Sequence, residues 1–190
     1  QGTAIAVALR GLGARVTFVT GPATVPPPEG VAILRVETAA QMLTAVEKAL
    51  PADAAVLAAA VADWHVTNAS GSKLKKDRSG EAPALQFAEN PDILATISRS
   101  ANRPRLVVGF AAETDDLMAN AMGKRERKGC DWIVANDVSP ATGIMGGTEN
   151  AVTVIDADGA ETWPRMSKAD VATRLARRIA DALWTAENGD

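Results

Sequence analysis

Asp63 closes the apolar run Ala58-Ala59-Ala60-Val61-Ala62, and Lys73-Leu74-Lys75-Lys76 begins ten residues beyond it. A carboxylate at the end of a buried strand suits magnesium, which prefers hard oxygen ligands and shares them with phosphate. Lysines on a short polar loop supply mobile point charges for the phosphates themselves. The pair therefore points to a metal-bound polyphosphate. Each half also has a plainer reading. Asp63 fits a solvated loop or a helix cap, and the run from Lys73 to Arg78 fits a solvated edge kept soluble by charge.

Similar pairings recur downstream. Asn90-Pro91-Asp92-Ile93 reads as the start of a short helix, Pro91 to Arg99, with Asn90 as its cap. Its first amides could face an anion, or Asn90 could simply cap them. Lys124 and Lys128 continue a stripe with Leu117 and Ala121, in steps of four, three and four. Lysines on an apolar stripe face the protein in part, which favours anion binding; the alternative is that they snorkel and complement the helix end. The loop 141–150, with three glycines, can wrap phosphate or turn a corner. Cys130 reads as structural, and His65 as a base or an exposed loop residue. No strand-to-helix turn carries Gly-x-Gly-x-x-Gly or a P-loop pattern, and the chain has no tyrosine. Both absences weigh against an NAD(P)-binding Rossmann oxidoreductase. A non-catalytic nucleotide-binding module is a further reading.

The elements that must position these residues alternate. Val16 to Thr20 and Ala54 to Ala60 read as buried strands, and Val31 to Val36, Arg105 to Ala111 and Trp132 to Ala135 as further strands. Helices are expected over residues 2–12, over Ala39 to Leu50 with Thr38 as cap, after a Thr114 cap with Gly129 just past its end, and over Ser167 to Trp184. Val152 to Asp156 and Glu161 to Pro164 predict a late hairpin turning at Asp158-Gly159. Ala84 to Phe87 is expected to pair with Lys73 to Lys76 as a basic flap. This rhythm predicts an α/β fold: a Rossmann-like three-layer sandwich with a mostly parallel sheet, plus the flap and the hairpin. Ligands of such sheets sit beyond the carboxyl ends of the strands. Thr20-Gly21, Asp63, Phe110 to Thr114 and Asn136-Asp137 all fall at such ends.

The 190 residues fit one domain with a real core, and 47% apolar content argues against disorder. A net charge of −3 gives no reason to expect nucleic acid. One cysteine excludes an internal disulfide framework and suits the cytoplasm. No apolar run reaches the roughly 20 residues that span a bilayer, so no membrane partner is expected.

Taken in order, eight segments resemble the phosphopantothenoylcysteine synthetases (phosphopantothenate–cysteine ligases). They are Val-Thr-Gly-Pro (19–22), Val-Glu-Thr-Ala (36–39), Ala-Ala-Val-Ala-Asp (59–63), Lys-Leu-Lys-Lys (73–76), Asn-Pro-Asp-Ile (90–93), Val-Gly-Phe-Ala-Ala-Glu-Thr (108–114), Lys-Arg-x-Arg-Lys (124–128) and Ala-Asn-Asp-Val (135–138). The resemblance implies a coenzyme A biosynthetic ligase that uses CTP and Mg2+ and joins 4′-phosphopantothenate to cysteine through an acyl-cytidylate. It implies a homodimer, and an FMN-carrying decarboxylase domain where one is fused. By resemblance, Asp63 lies near the metal and Lys73 is the catalytic flap lysine. Ala59, Asp63, Lys73, Asn90, Pro91, Asp92, Ile93, Phe110, Lys124 and Lys128 match nucleotide-contacting positions, and Ala60 lies beside the acyl group. Residues 1–190 would form a single synthetase domain. The family's upstream strand and its Asn-x-Ser-Ser-Gly segment are not in this sequence, which implies a fragment unable to complete the reaction alone. The family's Phe-x-x-Asp-x-Asn loop has Met145 and Thr148 at its first and fourth places.

Overall fold

The computed structural model describes residues 1–69, 84–138 and 147–188. The chain opens with helix α1 (Gly2–Gly11), followed by strands β1 (Thr17–Thr20) and β2 (Ala32–Arg35). Helix α2 (Ala39–Lys48) starts where expected. The Thr38 hydroxyl accepts the Gln41 amide, and the Gln41 side chain accepts the Thr38 amide. That reciprocal box satisfies two otherwise orphaned donors. Strand β3 (Ala54–Leu57) leads to β4 (Trp64–Val66) and β5 (Phe87–Glu89); short helix α3 (Ile93–Ser98) and the long strand β6 (Leu106–Glu113) follow. Next come α4 (Leu117–Lys128), β7 (Trp132–Asp137), β8 (Glu149–Asn150), β9 (Thr153–Ile155), β10 (Ala160–Thr162), β11 (Met166–Ser167) and α5 (Lys168–Asn188).

The main sheet has the order β10-β9-β7-β6-β3. Strands β3, β6 and β7 run parallel, while the late hairpin β9-β10 joins β7 antiparallel. Strand alternation feeds two cores. Leu106, Val108, Trp132 and Val134 face Ile5 of α1 and Leu175 and Ile179 of α5. Val107, Ala111, Ile133 and Ala135 face Ala121 of α4, with Leu94 of α3 packed alongside. The result is the expected mostly parallel α/β sandwich, with helices on both faces of the sheet.

The sheet is split. Strands β1 and β2 pair parallel with each other, and among the described residues neither pairs with β3. The apolar β3 stays half-exposed along its length, whereas its neighbour β6 is buried from Leu106 to Gly109. A parallel strand within a doubly covered sheet is normally buried on both faces. The β1 and β3 edges instead line one cavity.

Three local expectations are corrected. Strand β3 ends at Leu57, so residues 58–62 are a loop rather than the end of the strand. Strand β5 pairs antiparallel with β4, and Asn68 holds residues 84–86 by accepting the Gln86 amide and donating to the Ala84 carbonyl. The lysines 73–76 lie outside the described residues. Asn90 does not cap α3; Asp92 does, its carboxylate accepting the Ala95 amide. Nor does Thr114 cap α4. Its hydroxyl bonds Asp115, and Asp116 occupies the cap position with φ 41°. The C-terminal end is as expected: Gly129 adopts φ 71°, which glycine reaches without steric cost, and its amide bonds the Arg125 carbonyl.

Candidate functional site

A cavity of 2360 Å3 runs along β1 and β3 and takes in Phe110 of β6. The residues expected at the nucleotide and the acyl group line it where they are described: Ala59, Ala60, Asp63, Asn90, Pro91, Asp92, Ile93, Phe110, Lys124 and Lys128; Ala111 to Thr114 and Asn136-Asp137, expected at the same rim, do not. Lys73 lies outside the described residues. The convergence follows from topology. Parallel strands deliver their ends to one rim, and α3 and α4 bring their own residues to it.

Asn90 is the brace of this rim. Its side-chain amide donates to the Ala62 carbonyl at 2.9 Å, and its backbone amide donates to the Asp63 carbonyl at 2.7 Å. The residue therefore ties the β3 loop to the start of α3 and sets the height of Asp63. Gly109 in β6 allows α3 to come close. A Cβ there would sit 2.5 Å from Leu94 Cδ2 and 2.9 Å from Ile133 Cδ1.

The two lysines differ. Lys128 Nζ donates to Asp92 Oδ2, which joins the end of α4 to the cap of α3. Partial burial pushes the Asp92 carboxyl upward. The Lys128 hydrogen bond, the Ala95 amide and the Lys128 and Arg99 charges outweigh that and hold it below the usual carboxylate range. Because Asp92 accepts the Ala95 amide itself, α3 does not offer that amide to a ligand. Lys124 is half-buried, lines the same cavity and makes no ion pair among the described residues. Its ammonium is open to a ligand anion. The stripe inferred from the sequence is also present, with Ala121 buried and Leu117 packed against the core. Cys130 is buried, and that burial, with Asp131 beside it, raises its thiol despite opposing hydrogen bonds and the Arg125 charge. Its structural reading holds.

Among the described residues no three His, Cys, Asp or Glu side chains gather as a metal cage. Asp63, an exposed carboxylate on the cavity wall, suits an ion held mainly by phosphate oxygens and water. Gly147 and Thr148, from the loop 141–150 read as able to wrap phosphate or turn a corner, also line the cavity. Sequence reasoning did not single out Glu89 or Lys168, which line it too. Glu89 was detectable as the neighbour of Asn90; Lys168 arrives from the far end of the chain with no local signal.

A family model described as the DNA/pantothenate metabolism flavoprotein C-terminal domain matches residues 1–183. The chain is 37% identical over 185 residues to the coenzyme A biosynthesis bifunctional protein CoaBC of Vibrio cholerae, covering 96% of this chain and 46% of that protein. It is 36% identical over 182 residues to a cysteine/cysteine sulfinic acid decarboxylase of an unknown prokaryotic organism, covering 94% of this chain and 50% of that protein. The chain thus spans about half the length of these curated relatives. Among solved structures, the C-terminal domain of CoaBC superposes with a TM-score of 0.76 at 31% identity, covering 95% of this chain and 81% of the other.

Proposed function

The chain belongs to the DNA/pantothenate metabolism flavoprotein C-terminal domain family, and from that premise we propose that it is a CTP-dependent phosphopantothenate–cysteine ligase domain of coenzyme A biosynthesis. The observation that carries the reading is the single cavity lined by Asp63, the 90–93 turn, Phe110, Lys124 and Lys128.

The chemistry has two steps. A carboxylate oxygen of 4′-phosphopantothenate attacks the α-phosphorus of CTP. The bond from that phosphorus to the bridging oxygen breaks, and pyrophosphate departs with the electron pair. The amine of cysteine then attacks the acyl carbon of the acyl-cytidylate, loses a proton, and expels CMP as the amide forms. A carboxylate is a poor acyl donor until its oxygen becomes a phosphate leaving group, so positioning and charge neutralisation supply most of the catalysis. Lys124 faces the triphosphate with a free ammonium. Lys128 and Asp92 hold the α3–α4 junction against which the nucleotide rests, with Pro91 and Ile93 shaping the turn and Phe110 the floor. Ala59 and Ala60 present only methyl groups, which lets the nucleotide and the acyl group approach the β3 end closely. Asp63 is the residue that would hold Mg2+, which when bound neutralises triphosphate charge. Lys73 is assigned to the conversion of the acyl-cytidylate.

The split sheet supports a further part of the reading. We take residues 1–190 as one synthetase domain, and the gap between β1 and β3 is where the upstream strand that the resemblance implies would fit. The same reading takes the protein as a cytoplasmic homodimer, with FMN confined to any fused decarboxylase domain.

Calorimetric titration of CTP, ATP and NAD in the presence of magnesium, on protein carrying this chain with its native flanking sequence, tests the proposal. Saturable binding of CTP, tighter than of ATP or NAD, is the expected result. Binding of NAD without CTP, or of no nucleotide at all, overturns it.

A further inference from the structure

We infer that Arg125 is a positioning residue for nucleotide binding: its side chain fixes the last turn of α4, and through that turn the place of the Lys124 ammonium; this rests on the ligase reading above. Lys124 lines the cavity and carries its charge on a long flexible stem. Among the described residues no carboxylate pairs with it, so the charge stands where the backbone of α4 puts it. Apolar packing holds that backbone weakly. Ala121 is the buried residue of α4, and Leu117 packs alongside the core. A methyl group and one leucine set the distance of a helix from a sheet, but they resist sliding and rotation poorly. At the first turn, Asp116 makes no side-chain cap hydrogen bond.

The last turn is held differently. Arg125 is half-buried, and its Nε donates to the Asp131 carbonyl at 2.7 Å. Asp131, just before β7, is itself fixed to β6. Its amide donates to the Val107 carbonyl at 3.0 Å, and its Oδ2 accepts the Val107 amide at 2.7 Å. Arg103 Nη2 donates to both of its carboxylate oxygens, each at 2.8 Å. The acceptor that Arg125 reaches is therefore part of the sheet. The Arg125 carbonyl also accepts the Gly129 amide at 2.9 Å, which closes the same turn. One residue thus ties the helix end to the sheet by its side chain and ends the helix by its backbone. Lys124 immediately precedes it. Arg125 does not line the cavity, so its effect on a nucleotide passes through the residue it places there. A charge held in position beforehand loses less freedom when a phosphate arrives.

A double-mutant cycle tests this in the protein with its native flanking sequence. CTP affinity with magnesium is measured by calorimetry, and Tm by melting, for the parent, Arg125→Met, Lys124→Met and the double variant. Arg125→Met should raise the CTP Kd about three- to tenfold, a misplacement effect smaller than loss of the charge itself. In the Lys124→Met background the same change should move Kd by less than about twofold, while its effect on Tm persists. Arg125→Lys keeps the positive charge but puts a methylene where Nε stands. It should weaken CTP in the same non-additive way, and it carries the cycle if Arg125→Met does not fold. Equal losses of affinity in both backgrounds would show that Arg125 acts on the nucleotide without Lys124. An unchanged Kd in Arg125→Met would make the arginine purely structural. Parental affinity in Arg125→Lys beside a loss in Arg125→Met would assign the effect to charge alone. Each of these outcomes overturns the inference. A parent protein that binds no CTP would instead refute the ligase reading itself.

Discussion

Replacing Lys124 by methionine separates a ligand-facing cation from a structural one. The substitution keeps the length of the stem, which packs beside buried Ala121, and removes only the ammonium. No ion pair among the described residues is broken, so the fold should lose little, within about 0.5 kcal/mol. Two unit charges about 4 Å apart are worth roughly 4 kcal/mol at an effective dielectric constant near 20. Half-exposure and salt reduce that, and hydrogen bonds to charged groups measure about 1.5–3 kcal/mol. CTP affinity should therefore fall roughly 10- to 150-fold. Calorimetric titration of CTP with magnesium, in the absence of the acid substrate, reads the loss without interference from turnover, and a melting curve reads the fold. Lys128→Met gives the contrast. Its ammonium is already engaged by Asp92, so it should cost less CTP affinity and more thermal stability. An unchanged CTP Kd for Lys124→Met would refute the reasoning, as would a loss of affinity matched by a fall in Tm.

Gly109→Ala places a methyl group 2.5 Å from Leu94 Cδ2. Urea unfolding should show destabilisation of about 1–3 kcal/mol, and CTP should bind more weakly as α3 is pushed from the sheet; a variant within 0.5 kcal/mol of the parent would contradict the close approach. Cys130, buried and with its thiol raised by that burial, should react with a thiol-labelling reagent at neutral pH only once denaturant unfolds the chain. Stoichiometric labelling of the native protein would disprove its inert role. The Asp92 carboxyl is held low in the folded state, so its contribution is fully present above the unfolded value of about 3.9 and is lost as pH falls through the lower folded value. The stability difference between parent and Asp92→Asn should be level from neutral pH down to about pH 5 and should shrink in more acid solution. Because the Asp92 side chain is 42% exposed, the difference should be small and should weaken with added salt. A difference that widens on acidification would reverse the assigned sign.

Signals confined to a few residues were legible in the chain. The Thr38–Gln41 box, Gly129 after a basic helix end, and the alternation of β6 and β7 each specify local geometry through contacts within a turn or across one pleat. Misplaced features were those with close competitors. Asn90 and Asp92 are both good caps, and which one serves depends on whether a carbonyl elsewhere claims the other; Ala62 claims Asn90. Thr114 lost its role to Asp116 in the same way, because Asp115 takes its hydroxyl. The partner of β5 was not readable either, since β4 is only three residues long and its apolar pattern is too short to register.

The sequence by itself determined the α/β class and the types of side chain available for phosphate and metal. Those follow from periodicity and chemistry, which are properties of neighbouring residues. The tertiary structure alone decided that Lys128 is spent on Asp92 while Lys124 is free, and that Asn90 braces the Asp63 loop. It also decided that, among the described residues, β1 and β3 do not pair with each other but face one cavity. Pairing between distant groups depends on separations in space, and only the closed arrangement of strands and helices sets those distances.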